Sequence, residues 1–394
     1  MKTTTYLASK PRYEILDGLR GVAAIIVVAF HLFETYSAGP AHQILNHGYL
    51  AVDFFFVLSG FVIGYAYDDR WDRMTNVGLL QRDAWYACTP MVIMGTLLGA
   101  SLFYFSACSA FPMVMQTPWV ERAADDTPGL PYVPHPHFMG HPGLVGDKRV
   151  ERPHLVADVG IYCQCALCPI HLPLLQTGTG IFVGLSACLT LDVTLNIDTF
   201  GLLSSRGEAA YTLIGGWSLT PGQLYIGISR LLYPFFMGLL LSRIGKLVKV
   251  KRGFYWCSLL VTVILVMPRI GGETSQWMNG VYEAVSVLAL FPLIVAMGAG
   301  SNVTGKRSVA LCKFLGELSY PLYITHFPLI YMQIAWARNN PDAPAGMHLF
   351  IAVSVFVLSI AIAYACLKLY DEPVREWLKQ HWLMKKNTKH PNDC

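Results

Sequence analysis

Long apolar runs separated by short polar connections occupy most of this chain. Hydrophobic residues fill 54% of the 394 positions and charged residues only 14%. As helices, the runs are long enough to cross the roughly 30 Å of hydrocarbon in a bilayer. The pattern predicts an all-α fold, a polytopic transmembrane helix bundle of about nine visible spans. With boundaries good to about three residues, they lie near 21–38, 49–67, 90–108, 180–195, 224–243, 254–268, 280–299, 317–337 and 347–369.

Basic residues are concentrated in certain connections between these runs. They occur before the first run, at 243–252, at 306–313 and in a tail at 378–394. Because lysine and arginine accumulate on the cytoplasmic side of membrane proteins, both termini are predicted to be cytoplasmic. The connections near 192–222, 270–279 and 339–346 are then external. The formal net charge of +4 reflects this topology, so the expected partner is a membrane and not a nucleic acid.

The first run contains Arg20 and His31, with only small or apolar residues between them. Eleven residues of α-helix make about three turns, so both side chains face the same way about 16 Å apart. Arg20 is placed at the membrane surface, as a phosphate-binding group or as an anchor of the helix end. His31 is placed near mid-bilayer, where an ionisable residue is costly and therefore a functional candidate. We interpret it as a catalytic base, with a structural histidine as the alternative.

Two carboxylates near this helix could act on His31. Glu34 lies about one turn beyond it and could polarise the imidazole, but solvation at the outer interface is the preferred interpretation. Asp53 opens the second run, where it could orient His31 or pair with Arg20 or Arg70. A helix N-terminal aspartate favoured by the dipole explains Asp53 equally well.

Further supporting candidates lie in the second run, in the external loop before it and late in the chain. Ser59 is small enough to permit close helix contact, and packing is its preferred role. His47, in the loop, is expected to be solvated. Tyr320, Tyr323 and His326 follow one another at helical spacing, and His326 could contact a substrate or satisfy the carbonyl freed by a proline, Pro321.

Residues 120–177 break the apolar pattern and are rich in His, Pro, Asp and Arg. One hypothesis is a soluble insert that binds zinc, since a C-x-C-x-x-C-x-x-H spacing resembles zinc ligation. The candidate ligands would be His135, His137, His141, His154, Cys163, Cys165, Cys168 and His171. The favoured hypothesis is translation out of frame, so no metal is expected. Suitable codons for residues 153–165, read with one nucleotide dropped, give PTWSLMLEYIAN. Suitable codons for residues 83–89, shifted by two nucleotides, give RLVCLH.

Three motifs in order resemble the acyltransferase-3 family of bacterial integral-membrane O-acyltransferases. They are Tyr13–Gly21 with His31, Gly48–Phe61 and Gly316–His326. The resemblance covers 13–377 as one membrane domain, interrupted by the suspected out-of-frame segments 83–89 and 120–177. The shifted frames would supply two more family marks, a basic motif ending in proline and W-S-L-x-x-E.

The resemblance implies ten or eleven spans in an intact member, in the bacterial inner membrane. It further implies transfer of an acyl group, usually acetyl, from acyl-CoA to a hydroxyl of an envelope polysaccharide or glycolipid sugar. Arg20 and His31 fall on the motif positions that would serve that reaction.

Two other functions stay open. A secondary transporter or sugar flippase also buries ionisable residues, but no matching pair of broken helices is evident in the two halves. An inactive frameshifted chain is the other alternative, and resequencing the DNA across codons 82–180 decides it. The acceptor sugar, the acyl group and the oligomeric state are not specified by the residues.

Overall fold

The computed structural model describes residues 12–37, 43–68, 77–106, 174–204, 206–216, 220–245, 247–272 and 274–383. Every regular element in these ranges is helical. The first eight helices are α1 Glu14–Glu34, α2 Ala51–Tyr67, α3 Val77–Ser106, α4 Leu174–Thr194, α5 Pro221–Ile244, α6 Gly253–Val266, α7 Trp277–Val285 and α8 Phe291–Gly300. The remaining four are α9 Lys306–Thr325, α10 Phe327–Asn339, α11 Ala345–Cys366 and α12 Glu372–Leu378.

Apolar helices confirm a multi-pass membrane protein. Five segments of the described chain are long and apolar enough to cross a bilayer: Glu14–Glu34, Gly48–Ala66, Pro221–Ile244, Trp277–Gly300 and Ala345–His381. The shorter apolar helices are Cys88–Leu102, Gly178–Thr194, Gly253–Val266 and Phe327–Ala337. The predicted runs therefore fall on helices, but the number of spans is not fixed at nine by length and composition.

The predicted span at 317–337 falls on two helices and not on one continuous helix. Helix α9 ends at Thr325 and α10 begins at Phe327, with a proline in its first turn. Pro328 lacks the N–H that a continuous helix would need at that point, which favours a break just before it. Pro321, in contrast, lies inside α9.

The chain divides into two compact units, the first made of residues 1–77 and 140–319. In this unit α2 and α5 pack so closely that neither crossing point has room for a Cβ atom. A side chain on Gly60 would collide with the carbonyl of Phe235, and one on Gly238 with the carbonyl of Val57. Close backbone approach is the usual use of small residues between membrane helices. The expected packing role of the segment around Ser59 agrees with this contact at Gly60.

A π-helical turn, Ser286–Leu290, joins α7 to α8 in the first unit. Pro292 follows and cannot donate to the carbonyl of Leu288, which would otherwise lack a partner in lipid. The hydroxyl of Tyr233 donates to that carbonyl at 2.6 Å. The irregular backbone just after Glu283 is thus satisfied by a side chain from α5, and such π-turns are frequent at functional sites.

The second unit comprises residues 78–139 and 320–394. Helix α3 is continuous across 83–89. The C-terminal helical segment runs through two π-turns, Leu367–Asp371 and Lys379–Leu383, and so continues past residue 378, where the basic tail was predicted to begin. Residues 107–173, with all the proposed zinc ligands, lie outside the described residues.

Candidate active site

Helix α1 carries both residues singled out in the first run. It is a continuous α-helix from Glu14 to Glu34, so Arg20 and His31 project from the same face. His31 lies in the last turn of α1 and not near its middle, whereas its depth in the bilayer stays a prediction. The helix begins seven residues earlier than the apolar pattern predicts, since Glu14 and Asp17 are favoured in its first turn by the dipole.

His31 is held by a carboxylate on its own helix. Its Nδ1 lies 2.8 Å from Oε2 of Glu34, one turn further along. The side chains of His31 and Glu34 are 14% and 26% exposed, so the pair is largely shielded from solvent. Glu34 therefore contacts the imidazole, as the polarising interpretation requires, while 26% of its side chain stays exposed. Donation from Nδ1 to the carboxylate leaves the lone pair of a neutral imidazole on Nε2.

Arg20 lies at the opposite end of α1, in a small charged cluster. Its Nη1 is 3.5 Å from the carboxylate of Asp17, which also lies 3.3 Å from Nη2 of Arg12. One carboxylate is thus shared by two guanidinium groups, so neither arginine has a carboxylate to itself in this cluster. The Arg20 side chain is 33% exposed, so a ligand has access to it.

Asp53 forms a buried ion pair that the sequence analysis did not predict. Its partner is Arg230 of α5 and not Arg20, while Arg70 lies outside the described residues. The side chains of Asp53 and Arg230 are 0% and 3% exposed. Nη2 of Arg230 lies 2.6 Å from Oδ2 of Asp53, and Nε lies 3.2 Å from both oxygens. The guanidinium also donates to the carbonyls of Tyr49 and Gly215, at 2.7 and 3.3 Å. The carboxylate thus joins α2 to α5, and the cation fixes two loops.

A second buried carboxylate, Glu283 of α7, lies beside this pair. Its Oε1 accepts from the hydroxyl of Tyr49 at 2.5 Å and from the side-chain amide of Asn279 at 2.8 Å. Its Oε2 accepts from the backbone N–H of Leu213 at 2.6 Å. Three donors therefore satisfy the oxygens of this buried carboxyl group. Glu283 therefore ties the 47–50 turn and the 212–216 loop to α7.

His47 extends this network and is buried, so its predicted solvation is wrong. Nδ1 lies 2.7 Å from the carbonyl oxygen of Met267, and Nε2 lies 3.0 Å from Oδ1 of Asn279. Burial lowers the pKa of His47, the two oxygens raise it, and the nearby Arg269 lowers it, with a net shift downward. His47 is therefore neutral in the folded protein near neutral pH.

This shift predicts a pH-dependent stability. Between the ordinary histidine pKa of about 6.5 and the lower folded-state value, the unfolded chain binds a proton that the folded chain does not. The contribution of neutral His47 to the free energy of unfolding should therefore be fully present above about pH 6.5. It should fall as the pH drops, by up to about 1.4 kcal/mol per pH unit. Thermal unfolding in detergent between pH 5 and 8 measures the slope. A His47→Gln variant should lose the part of the pH dependence that comes from His47. An identical slope of stability against pH in both proteins would contradict a lowered pKa of His47.

The late candidates lie in the second unit. The Tyr320 hydroxyl donates to the carbonyl of Cys88 at 3.0 Å. Nδ1 of His326 lies 3.0 Å from the carbonyl oxygen of Leu322, and the rings of Tyr323 and His326 are 6.1 Å apart. His326 thus bonds to Leu322 and not to the carbonyl that Pro321 frees, which belongs to the residue four positions before the proline. His31, Arg20, Asp53 and Ser59 belong to the first unit.

Several polar residues of this site were missed by the sequence analysis, although two of them carried a readable signal. Arg230 and Glu283 are single charges inside apolar runs, the same criterion that selected His31. Tyr49 and Asn279 carry no such signal, because their roles depend on partners more than 200 residues away. In the described ranges, no cluster of three or more His, Cys, Asp or Glu residues could hold a metal ion.

Comparison with known proteins places the chain in a family. The acyltransferase-3 family, described as an acyltransferase domain, matches residues 13–142 and 156–368. The chain therefore belongs to this family, as its three motifs indicated. The match extends through residues 83–89 and omits only 143–155 of the suspected segment at 120–177.

The chain is similar to two curated relatives, one of which is an O-acetyltransferase and supports a transferase. The chain is 21% identical over 388 residues to O-acetyltransferase OatA of Staphylococcus aureus, covering 93% of this chain and 58% of OatA. It is 34% identical over 93 residues to Protein 2 in picA locus of Rhizobium radiobacter, covering 23% of this chain and 46% of that protein. The chain thus spans about half the length of these relatives. No solved structure matches the chain significantly.

Proposed function

We propose that this protein is an integral-membrane O-acyltransferase. It moves an acyl group, expected to be acetyl, from acyl-CoA to a hydroxyl of an envelope polysaccharide or glycolipid sugar, in the bacterial inner membrane. The observation that carries the proposal is the bond between His31 and Glu34 on the same helix face as Arg20. Family membership and the O-acetyltransferase relative support the reaction class.

His31 is the proposed catalytic base. With its Nδ1 bonded to Glu34, the ring presents Nε2 to the acceptor. Nε2 takes the hydroxyl proton as the sugar oxygen attacks the thioester carbonyl. The carbon–sulfur bond then breaks, and the proton passes from the imidazolium to the departing CoA thiolate. Glu34 is a positioning residue that fixes the ring tautomer and stabilises the imidazolium while it carries the proton.

Arg20 is the proposed donor-binding residue. Its partial exposure and its guanidinium, which shares the Asp17 carboxylate with Arg12, suit the phosphates of a CoA donor. The long pantetheine arm separates those phosphates from the thioester. A spacing of about 16 Å along one helix face therefore fits one donor molecule reaching from Arg20 toward His31.

The test is transfer of labelled acetyl groups from acetyl-CoA to envelope glycan in proteoliposomes. Two proteins are assayed: the chain with the sequence as it stands, and a version with restored reading frames at 83–89 and 120–177. We expect the restored protein to transfer acetyl and the chain as it stands to be inactive, since its sequence lacks the W-S-L-x-x-E glutamate. Transport of an intact glycan without acetylation by the restored protein would instead support a flippase.

Replacement of Arg20 predicts a defect in donor use. Arg20→Ala should raise the KM for acetyl-CoA at least as much as Arg20→Lys does, and Arg20→Lys should also raise it, because a point charge does not replace the guanidinium fork. Arg307→Gln, which alters an exposed cation elsewhere in the first unit, is the control. An unchanged KM in both Arg20 variants would contradict donor binding at this residue.

A further inference from the structure

Tyr49 connects the buried charges to the helix that carries His31. Its hydroxyl donates to Glu283 at 2.5 Å, and its carbonyl accepts from Arg230 at 2.7 Å. The Arg230 guanidinium carbon also lies 5.9 Å from the centre of the Tyr49 ring, a cation–π contact. The hydroxyl of Tyr49 is therefore fixed by Glu283 and its backbone carbonyl by Arg230, both within the first unit.

The ring of Tyr49 packs toward the end of α1. Its centroid lies 6.2 Å from that of Phe30 in an edge-to-face arrangement, and the Phe30 ring meets the His31 ring edge-to-face at 5.1 Å. Gly48 closes the contact, because a Cβ there would lie 2.5 Å from the Phe30 side chain. Gln43 donates to the carbonyl of Phe30 at 2.9 Å. Phe30, the residue directly before the proposed base, is thus contacted by Tyr49, Gly48 and Gln43.

We propose that Tyr49 is a positioning residue for His31, fixed by Glu283 and acting through Phe30. This inference rests on the proposed function of His31 and adds a requirement to it. Glu34 fixes the tautomer of the His31 imidazole. The edge-to-face contacts of Tyr49 with Phe30 and of Phe30 with His31 fix the plane of the His31 ring. Misplacing a reacting group by about 1 Å can cost roughly 100-fold in rate, so the loss of one fixed end should be visible in kcat.

The kinetic test uses Tyr49→Phe, which keeps the ring and removes the bond to Glu283. We expect kcat to fall about tenfold or more in the frame-restored protein, with both KM values within about twofold of the parent, since no substrate contact is removed. Tyr233→Phe is the matched control, because it removes a buried tyrosine hydroxyl bonded to a carbonyl in the same unit. Equal kcat losses in the two variants would show a general packing effect and overturn the proposal.

A cycle with Glu283→Gln tests whether the carboxylate acts through Tyr49. If it does, the double variant should lose no more kcat than the more impaired single variant. Multiplied losses would show that the two residues act separately.

An assay that does not depend on activity separates this inference from the proposed function. In ¹⁵N-histidine-labelled protein, His31 of the parent should show the tautomer protonated at Nδ1. Tyr49→Phe should shift or broaden the ring resonances of His31, because the ring plane is held less firmly, and Tyr233→Phe should leave them unchanged. An unaltered His31 signal in Tyr49→Phe would refute the positioning role even if transfer is observed. Absence of transfer by the frame-restored parent protein would refute the proposed function but not the positioning of His31 by Tyr49.

Discussion

Replacing His31 with alanine should abolish glycan acetylation while leaving the protein folded in the membrane. A general base contributes roughly 100- to 10,000-fold, and His31 is the proposed base held by the Glu34 carboxylate. The loss should appear in kcat, measured with saturating acetyl-CoA in the frame-restored protein. His381→Ala removes an exposed histidine of the C-terminal helical segment and should retain full activity.

Glu34 variants refine this test. Glu34→Gln keeps an oxygen that can accept from Nδ1 but removes the charge that stabilises the imidazolium, so its rate should lie between those of the parent and Glu34→Ala. Full acetylation with His31→Ala would end the catalytic assignment. Equal, parent-like rates in both Glu34 variants would confine Glu34 to a structural role.

Helix positions could be predicted because they depend on local patterns. The apolar runs around residues 51–67 and 221–244 carry enough hydrophobicity to mark a helix without knowledge of its neighbours. The ends were less predictable. Glu14 and Asp17 are polar and fell outside the first run, yet they form the first turn of α1, and this displaced His31 from the middle of the helix to its last turn.

Contacts between distant residues could not be predicted in the same way. Asp53 and Arg230 are separated by 177 residues, and nothing local to Asp53 indicates which arginine it meets. The bond from His31 to Glu34 was accessible, since residues three apart share a helix face. It was underrated because an acidic residue near a helix end is more often solvated. Burial, which separates the two interpretations, appears only once the neighbouring loops are placed.

Breaking the buried pair of Asp53 and Arg230 should strongly destabilise the protein. Removing one partner leaves an uncompensated charge in a site where the side chains are 0% and 3% exposed. Such losses typically reach about 3–5 kcal/mol. Arg230→Gln should therefore lower the yield of monodisperse protein and the unfolding temperature in detergent. Asp53→Asn should do so less, because Arg230 keeps its bonds to Tyr49 and Gly215.

The double variant Asp53→Asn with Arg230→Gln decides whether charge is the cause. With both charges removed, the desolvation cost disappears, so the double variant should be more stable than Arg230→Gln alone. It should still be less stable than the parent, since a glutamine cannot make all the contacts by which Arg230 joins Asp53 to the two loop carbonyls. Additive losses would show that the two side chains act independently and that the pair does not hold α2 against α5. The Tyr49 carbonyl accepts from the same guanidinium. If the double variant regains stability but not kcat, the role of Arg230 in folding is separate from its role in holding Tyr49.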